Sequence, residues 1–331
     1  MSTSLNLPVV EKDLSGKTVA VIGANTGIGL ETAKHFARMR PERLILACRT
    51  LEKGKVAVSQ IESETGYSKG EAWALELSSF SSVLAFVERF EKEDVPLDIL
   101  VDNAAIATFT YEQTADGWES SVQVNHLSQS LLTLLLLPRL LDTAKKHSDV
   151  ARVVVVSSKA SFTVNFSANK FPPRKVLHAL NSDLNLPMQN RYSESKLLNV
   201  LFVRALTEHL SSTSPIVIDT VCPGFCLSEL RRNLDESVLP TAHIKNARTS
   251  EEGSRQVIYA ALAPTLEEKA KGIQLENFKG AFVWNNSIIP LSEWVLSEEG
   301  KKVQGDIWDE TIEILSEIEP KVTSVVREFL Q

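Results

Sequence analysis

Residues 18–31 read TVAVIGANTGIGLE, and the rest of the chain is interpreted outward from them. TVAVI is an apolar, β-branched run, the pattern of a strand buried on both faces of a sheet. It leads directly into Gly23, Gly27 and Gly29, with Asn25, Thr26 and Ile28 among them. Glycines at a strand-to-helix junction let the backbone turn tightly and approach a pyrophosphate, and the first N–H groups of the helix supply positive potential. The stretch predicts a strand over 18–23, a dinucleotide-binding turn, and a helix from Gly27 to Arg38.

The alternation continues downstream. RLILAC (43–48) reads as the next strand and Leu51 to about Glu64 as a helix. AWALEL (72–77) leads into SSFSSVLAFVERFEKE, whose serines suit a helix start. Further strands are expected at LDILVDNA (97–104), ARVVVVSS (151–158), IVIDTVCPG (216–224) and AFVWN (281–285), with a helix over Arg191 to Leu210. Continuous apolar strands alternating with helices predict an α/β fold, a doubly wound parallel sheet in a single domain with right-handed crossovers.

Two segments break the pattern. Residues 159–191 carry prolines, asparagines and scattered aromatics without a period, as a functional insertion would. Phe162, Phe166, Phe171 and Leu177 suggest an apolar wall for a bulky substrate. Residues 227–250 are also irregular, until Thr249 and Glu252 form a capping-box pattern. Tyr111 and Trp118 read as packing residues opening a long fourth helix. A C-terminal extension from about residue 286 includes the amphipathic IWDETIEILSEI (307–318).

Bulk properties narrow the function. With 35 basic and 42 acidic side chains the net charge is −7, so no global field recruits nucleic acid or an anionic membrane. The most apolar run, Leu131 to Leu137, is too short to span a bilayer and reads as a buried core or interface helix. Cys48, Cys222 and Cys226 form no disulfide framework, and the six histidines show no metal-ligand spacing, so no metal is expected. The opening MSTSLNLPVVEKD has no basic-then-apolar leader, and a cytoplasmic location is expected.

Arg49 directly follows the second strand. An acid there would bond a ribose 2′-hydroxyl, whereas a base suits a 2′-phosphate. Arg49, with Lys53 as helper, predicts NADP(H) as cofactor. Tyr192 and Lys196 lie four apart on one helix face. A phenol that ionises near pH 10 needs such a cation to act near neutrality.

Taken in order, GANTGIG (23–29), DNAA (102–105), Asn125, VVVVSS (153–158), YSESK (192–196) and PGFCLSEL (223–230) resemble the short-chain dehydrogenase/reductase superfamily. ACRTLEKG, VNHLSQSLLTLLLLP, SKLLNVLF, TSEEG and IWDET look most like its extended, retinol dehydrogenase-like members, including many fungal ones. The resemblance runs from about residue 15 to 320 and implies a Rossmann-like sheet. It implies Tyr192 as proton donor in reduction and acceptor in oxidation, and Lys196 as the group that lowers its pKa and binds ribose. It also implies Ser158 as hydrogen-bond partner of the substrate oxygen and Asn125 as holder of a water linking Lys196 to solvent. Glu76 and Leu77, Asn103 and Ala104 fall on the adenosine side. Pro223, Gly224 and Ser228 fall beside the carboxamide.

The chain departs from the family at four positions. Ile22 replaces a Thr, Asp102 replaces the first Asn of an NNAG motif, Ala105 replaces its Gly, and Glu76 replaces an Asp that meets the adenine. Residues 159–191 also lengthen the path from Ser158 to Tyr192, leaving Ser157 as fallback for the serine. The expected activity interconverts a ketone or aldehyde with an alcohol on a bulky apolar small molecule, retinoid-like or from terpenoid or polyketide secondary metabolism, in a monomer or homodimer. Reduction of an activated C=C bond would use the same residues. A dinucleotide sensor without turnover would show damage to the Ser/Tyr/Lys set, and none is visible.

Overall fold

The computed structural model describes residues 7–167, 170–182, 186–231 and 247–330. Its elements follow the expected alternation: β1 (Thr18–Ile22), α1 (Gly27–Arg38), β2 (Arg43–Cys48), α2 (Leu51–Thr65), β3 (Gly70–Ala74), α3 (Phe80–Lys92) and β4 (Ile99–Asp102). A short α4 (Ser120–Val122) runs through a π-helical turn (Gln123–Leu127) into α5 (Ser128–His147), followed by β5 (Ala151–Val156). Next come α6 (Val176–Ser182), α7 (Met188–His209), β6 (Ile216–Val221), α8 (Ser250–Leu262) and α9 (Leu266–Ala270). The chain closes with β7 (Phe282–Val283), β8 (Ile288–Ile289), α10 (Glu293–Leu296), α11 (Glu298–Ile318) and α12 (Lys321–Phe329).

The strands form one sheet in the order β3-β2-β1-β4-β5-β6-β7-β8. All pairings are parallel except the last, β7 with β8. Alternate strand residues serve two cores. Ile22, Leu100, Val153 and Val155 face α3, α5, α7 and the C-terminal helices, while Val21, Val101, Val154 and Val156 face α1 and α8. This is the doubly wound sheet that uninterrupted apolar strands require. Leu131 to Leu137 lie buried in α5, as expected of a core helix, and among the described residues no helix is long and apolar enough to cross a membrane.

Several boundaries differ from expectation. The third strand sits at 70–74 rather than 72–77, because Leu75 N–H makes the last bond to Cys48 and the chain then turns. Its apolar Leu75 and Leu77 still reach the core. β8 was not foreseen; Asn285 and Asn286, at φ 52° and 50°, form the tight turn that returns the chain. The capping box at Thr249 and Glu252 is present, with both reciprocal bonds. Residues 232–246, most of the second irregular stretch, lie outside the described residues.

The insertion is ordered by what it docks against. Phe166, Phe171 and Leu177 are buried in the main core, so they anchor the insertion and do not form an open wall. Phe162 packs on Phe282 at 4.8 Å between centroids. Glu310 of α11, itself buried, accepts from Leu177 N–H and His178 N–H at 3.0 Å each and pairs with His178 Nδ1 at 2.7 Å. Tyr111 and Trp118, expected in a helix, lie before it and brace the insertion: Tyr111 Oη donates to Asn181 C=O at 2.8 Å, and Trp118 meets His178 edge-on.

Glu310→Ala leaves the first N–H groups of α6 without their acceptor. We expect faster limited proteolysis within 159–191, read by mass spectrometry, with cleavage elsewhere unchanged and a loss of roughly 1–3 kcal/mol in denaturant unfolding.

Candidate active site

The chemistry-bearing residues lie after the C-terminal ends of six strands, the edge where open α/β sheets bind ligands. The turn after β1 is built by close approach. A Cβ on Gly29 would stand 2.2 Å from Gly23 C=O, and one on Gly23 would stand 2.9 Å from Ala104 Cβ. Gly23 and Gly27 also adopt φ of 77° and 60°. Asn103 Nδ2 donates to Ile22 and Gly23 carbonyls at 3.2 and 3.3 Å, so it braces this turn. At the head of α1, Thr26 makes no side-chain cap and the first turn holds no acid. The N-terminal N–H groups and the helix dipole therefore keep their full attraction for an anion, which suits a pyrophosphate.

Arg49 follows β2 with 59% of its side chain exposed, and Lys53 is exposed one turn into α2. Glu76 approaches Arg49 Nε at 3.8 Å and accepts from Ser78 N–H at 3.0 Å. Leu77 is buried, and its carbonyl accepts from Ser128 Oγ at 2.6 Å. After β6, Gly224 has φ 88° and the Pro223 carbonyl accepts from Arg248 Nη1 at 3.0 Å. Ser228 lies beside the glycine turn, its Cβ 3.6 Å from where a Gly27 Cβ would be. Gly253 of α8 makes room for Cys226, since a Cβ there would meet Sγ at 2.4 Å.

The Tyr192/Lys196 pair does not open a helix as expected. α7 begins earlier, after Pro187, and Tyr192 stands in its second turn, half-buried. Lys196 is 1% exposed and its Nζ donates to the Val156 carbonyl at 2.7 Å. Burial brings the Lys196 ammonium down to about 8, against the pull of Asp102 and Cys222. Its Nζ lies 5.9 Å from the Tyr192 ring centroid. Ser157 and Ser158 separate clearly. Ser157 is buried and its Oγ donates to the Lys196 carbonyl at 2.9 Å. Ser158 is half-buried, and its Oγ accepts from Ala160 N–H at 3.1 Å, which leaves the hydroxyl proton to give.

Asn125 is fully buried in the π-helical turn, where its amide bonds both backbone groups of Ile106 and donates to Ser195 Oγ at 3.0 Å. Its own carbonyl accepts from Asn199 Nδ2 at 2.9 Å. π-turns often mark functional positions, and only the structure reveals this one.

Sequence reasoning passed over Arg191, the residue before Tyr192. It is buried, and its Nη1 bonds Glu119 Oε2 at 3.0 Å and the Leu180 carbonyl at 2.6 Å, while Nε meets Glu194 at 3.3 Å. Glu119 in turn caps Ser121 and Val122 N–H at 2.9 and 3.0 Å. One guanidinium thus joins α7, the insertion and the start of α4.

A short chain dehydrogenase family model matches residues 17–185. Short chain dehydrogenase/reductase dmxR8 of Cryptosporiopsis sp. is 33% identical over 324 residues, 96% of each chain. Retinol dehydrogenase 12 of Homo sapiens is 40% identical over 255 residues, 77% of this chain and 76% of its own. Among solved structures, a short-chain dehydrogenase of Sphingobium yanoikuyae in complex with NADPH is 23% identical, with a TM-score of 0.55 over 73% of this chain and 82% of that one, a likeness of fold. The family model and these relatives define an oxidoreductase. The chain belongs to the short-chain dehydrogenase/reductase superfamily and is a retinol dehydrogenase-like member of it.

Arg191→Met strands Glu119 as an unpaired buried charge. We expect a loss of about 3–5 kcal/mol in urea unfolding, and recovery of much of it in the double variant with Glu119→Gln.

Proposed function

We propose that the protein is an NADP(H)-dependent enzyme that interconverts a ketone or aldehyde with an alcohol on a bulky, mostly apolar small molecule. The observation that carries this reading is the joint of α7 with the end of β5. Lys196 Nζ bonds the Val156 carbonyl, Ser157 bonds the Lys196 carbonyl, and Ser158 follows directly with a hydroxyl proton to give. When bound, the nicotinamide supplies or accepts the hydride. Gly23, Asn25, Thr26, Gly27, Ile28 and Gly29 would hold its pyrophosphate, Arg49 and Lys53 its 2′-phosphate, and Pro223, Gly224 and Ser228 its carboxamide end.

The chain's own residues handle the proton. Tyr192 gives its phenolic proton to the carbonyl oxygen in reduction and takes the hydroxyl proton in oxidation. Lys196 lowers the cost of the phenolate by standing one turn away as a buried cation. Ser158 donates to the same substrate oxygen and stabilises the charge that develops there. Asn125 keeps the helix turn behind them in place. A relative named for retinol supports an apolar substrate of retinoid, terpenoid or polyketide size.

Tyr192→Phe removes the donor without changing shape. Stopped-flow or steady-state assays with NADPH and a panel of apolar aldehydes and ketones should show a loss of roughly 10²–10⁴, with NADPH binding intact; more than about a tenth of the wild-type rate would overturn the assignment. Ser158→Ala should also slow turnover, and more than Ser157→Ala, whose hydroxyl is occupied by α7. The opposite order would move the role to Ser157.

Cofactor choice is tested by fluorescence titration of NADPH and NADH. Arg49→Ala should weaken NADPH roughly tenfold and leave NADH nearly unchanged. Equal wild-type affinities for the two cofactors would make Arg49 a surface residue.

A further inference from the structure

Asp102 is the one family departure that places an ionisable group in the core. It ends β4, is 0% exposed, and faces the same core as Leu100. Its Oδ2 accepts from Thr133 Oγ1 at 2.8 Å, and its Oδ1 has no hydrogen-bond partner. Asp102 pairs across the sheet with Val155, and the next carbonyl along that strand, Val156, holds Lys196 Nζ. A buried carboxylate with one acceptor oxygen unpaired is costly unless a charge compensates it. The attracting charge is the Lys196 ammonium, which lies beyond ion-pair distance and is held on the next carbonyl of the neighbouring strand.

We propose that Asp102 is the buried counter-ion of the Lys196 ammonium, a positioning residue that extends the pH range over which that lysine stays charged. The two groups move towards each other. Burial lifts the Asp102 carboxyl to about 7, while Thr133 and Lys196 pull it down; burial lowers Lys196 to about 8, while Asp102 pulls it up. The attraction between them favours the state with both groups charged, which burial opposes at each of them. The other titratable group acting on Lys196 is Cys222, at the end of β6. Burial pushes that thiol up, with Lys159 and Arg248 pulling it down, so it stays neutral near pH 7. Tyr192 stands on α7 itself. From α5, Thr133 is the side chain bonded to Asp102 and is uncharged.

The sign follows from linkage. The folded pKa of Asp102 lies above its unfolded value of about 3.9, so its contribution to stability is full below that value and is lost as pH rises through about 7. Removing the ammonium should enlarge that loss. The test is a double-mutant cycle of thermal melts from pH 5 to 9 on cofactor-free wild type, Asp102→Asn, Lys196→Met and the double variant. Lys196→Met should lose more Tm at pH 8 than at pH 5, and adding Asp102→Asn should restore most of that pH-dependent loss. Asp102→Asn puts back the amide usual in the family, and a merely structural role would give offsets that do not change with pH. Strictly additive, pH-independent offsets overturn the pairing.

A second arm reads Lys196 through NADPH and rests on the reading above that this lysine binds the ribose. The pH at which NADPH affinity falls should move down by about one unit in Asp102→Asn. Should that variant not fold, Thr133→Val, which removes the carboxylate's donor, should move it the same way by less. An unmoved midpoint overturns the proposal. If NADPH and NADH both fail to bind wild type at every pH, the functional reading fails, while the melts still decide the pairing.

Discussion

A buried ammonium held on a single backbone carbonyl is the constraint around which this molecule is organised. Lys196 Nζ reaches the Val156 carbonyl at the point where β5 stops. A strand end has carbonyls that the ladder does not use, and a buried cation needs an oxygen of this kind. Ser157 closes the joint from the other side by bonding the Lys196 carbonyl. Helix and strand are thus fastened in both directions within a few residues. Tyr192, one turn before Lys196, and Ser158, next after Ser157, take their positions from that joint. The position of the two groups proposed to touch the substrate oxygen is therefore set by packing of the main chain, which is more rigid than loop geometry.

The same economy governs the insertion. Its buried apolar side chains join the core, and part of its polar backbone is satisfied by the charged side chains of Glu310 and Arg191. Glu310 supplies the acceptor for the start of α6, and Arg191 takes the Leu180 carbonyl at its far part. A long segment with little secondary structure can stay compact only if such partners exist, because unsatisfied buried backbone groups are costly. The C-terminal extension is therefore part of the same scaffold, since the acid of IWDET fastens the segment that precedes α7.

Much of this was legible in the chain, for identifiable reasons. α1 and β2 fall on the residues expected, because glycines and a proline punctuate that region and the apolar runs are unbroken. The glycine turn, Arg49 and Ser158 each follow a strand, and in a doubly wound sheet whatever follows each strand gathers at one edge, so their order pointed to the candidate site. Periodicity could not say which aromatic residues of 159–191 face a cleft and which face the core, and Phe166 and Phe171 turned out to be core. The π-turn at Asn125 has no composition signal at all. The Asn285-Asn286 pair was a readable hairpin signal, because adjacent residues tolerant of positive φ are what a two-residue turn demands.

Charge near the cofactor edge shows where sequence and geometry must be combined. Arg49 is identified by its place after β2, and that position is what makes it the residue proposed for a 2′-phosphate. Glu76 follows β3, far along the chain, yet the parallel pairing of β2 with β3 sets the ends of these strands side by side and brings Glu76 to 3.8 Å from Arg49. The carboxylate's other oxygen is held by Ser78 N–H, which limits how far it can swing away. At that distance and exposure the pair is worth little by itself, so the guanidinium remains available to a stronger and doubly charged partner. An Asp would be one methylene shorter at the same position. The Glu found here extends towards the arginine, so a change at either residue acts on the other.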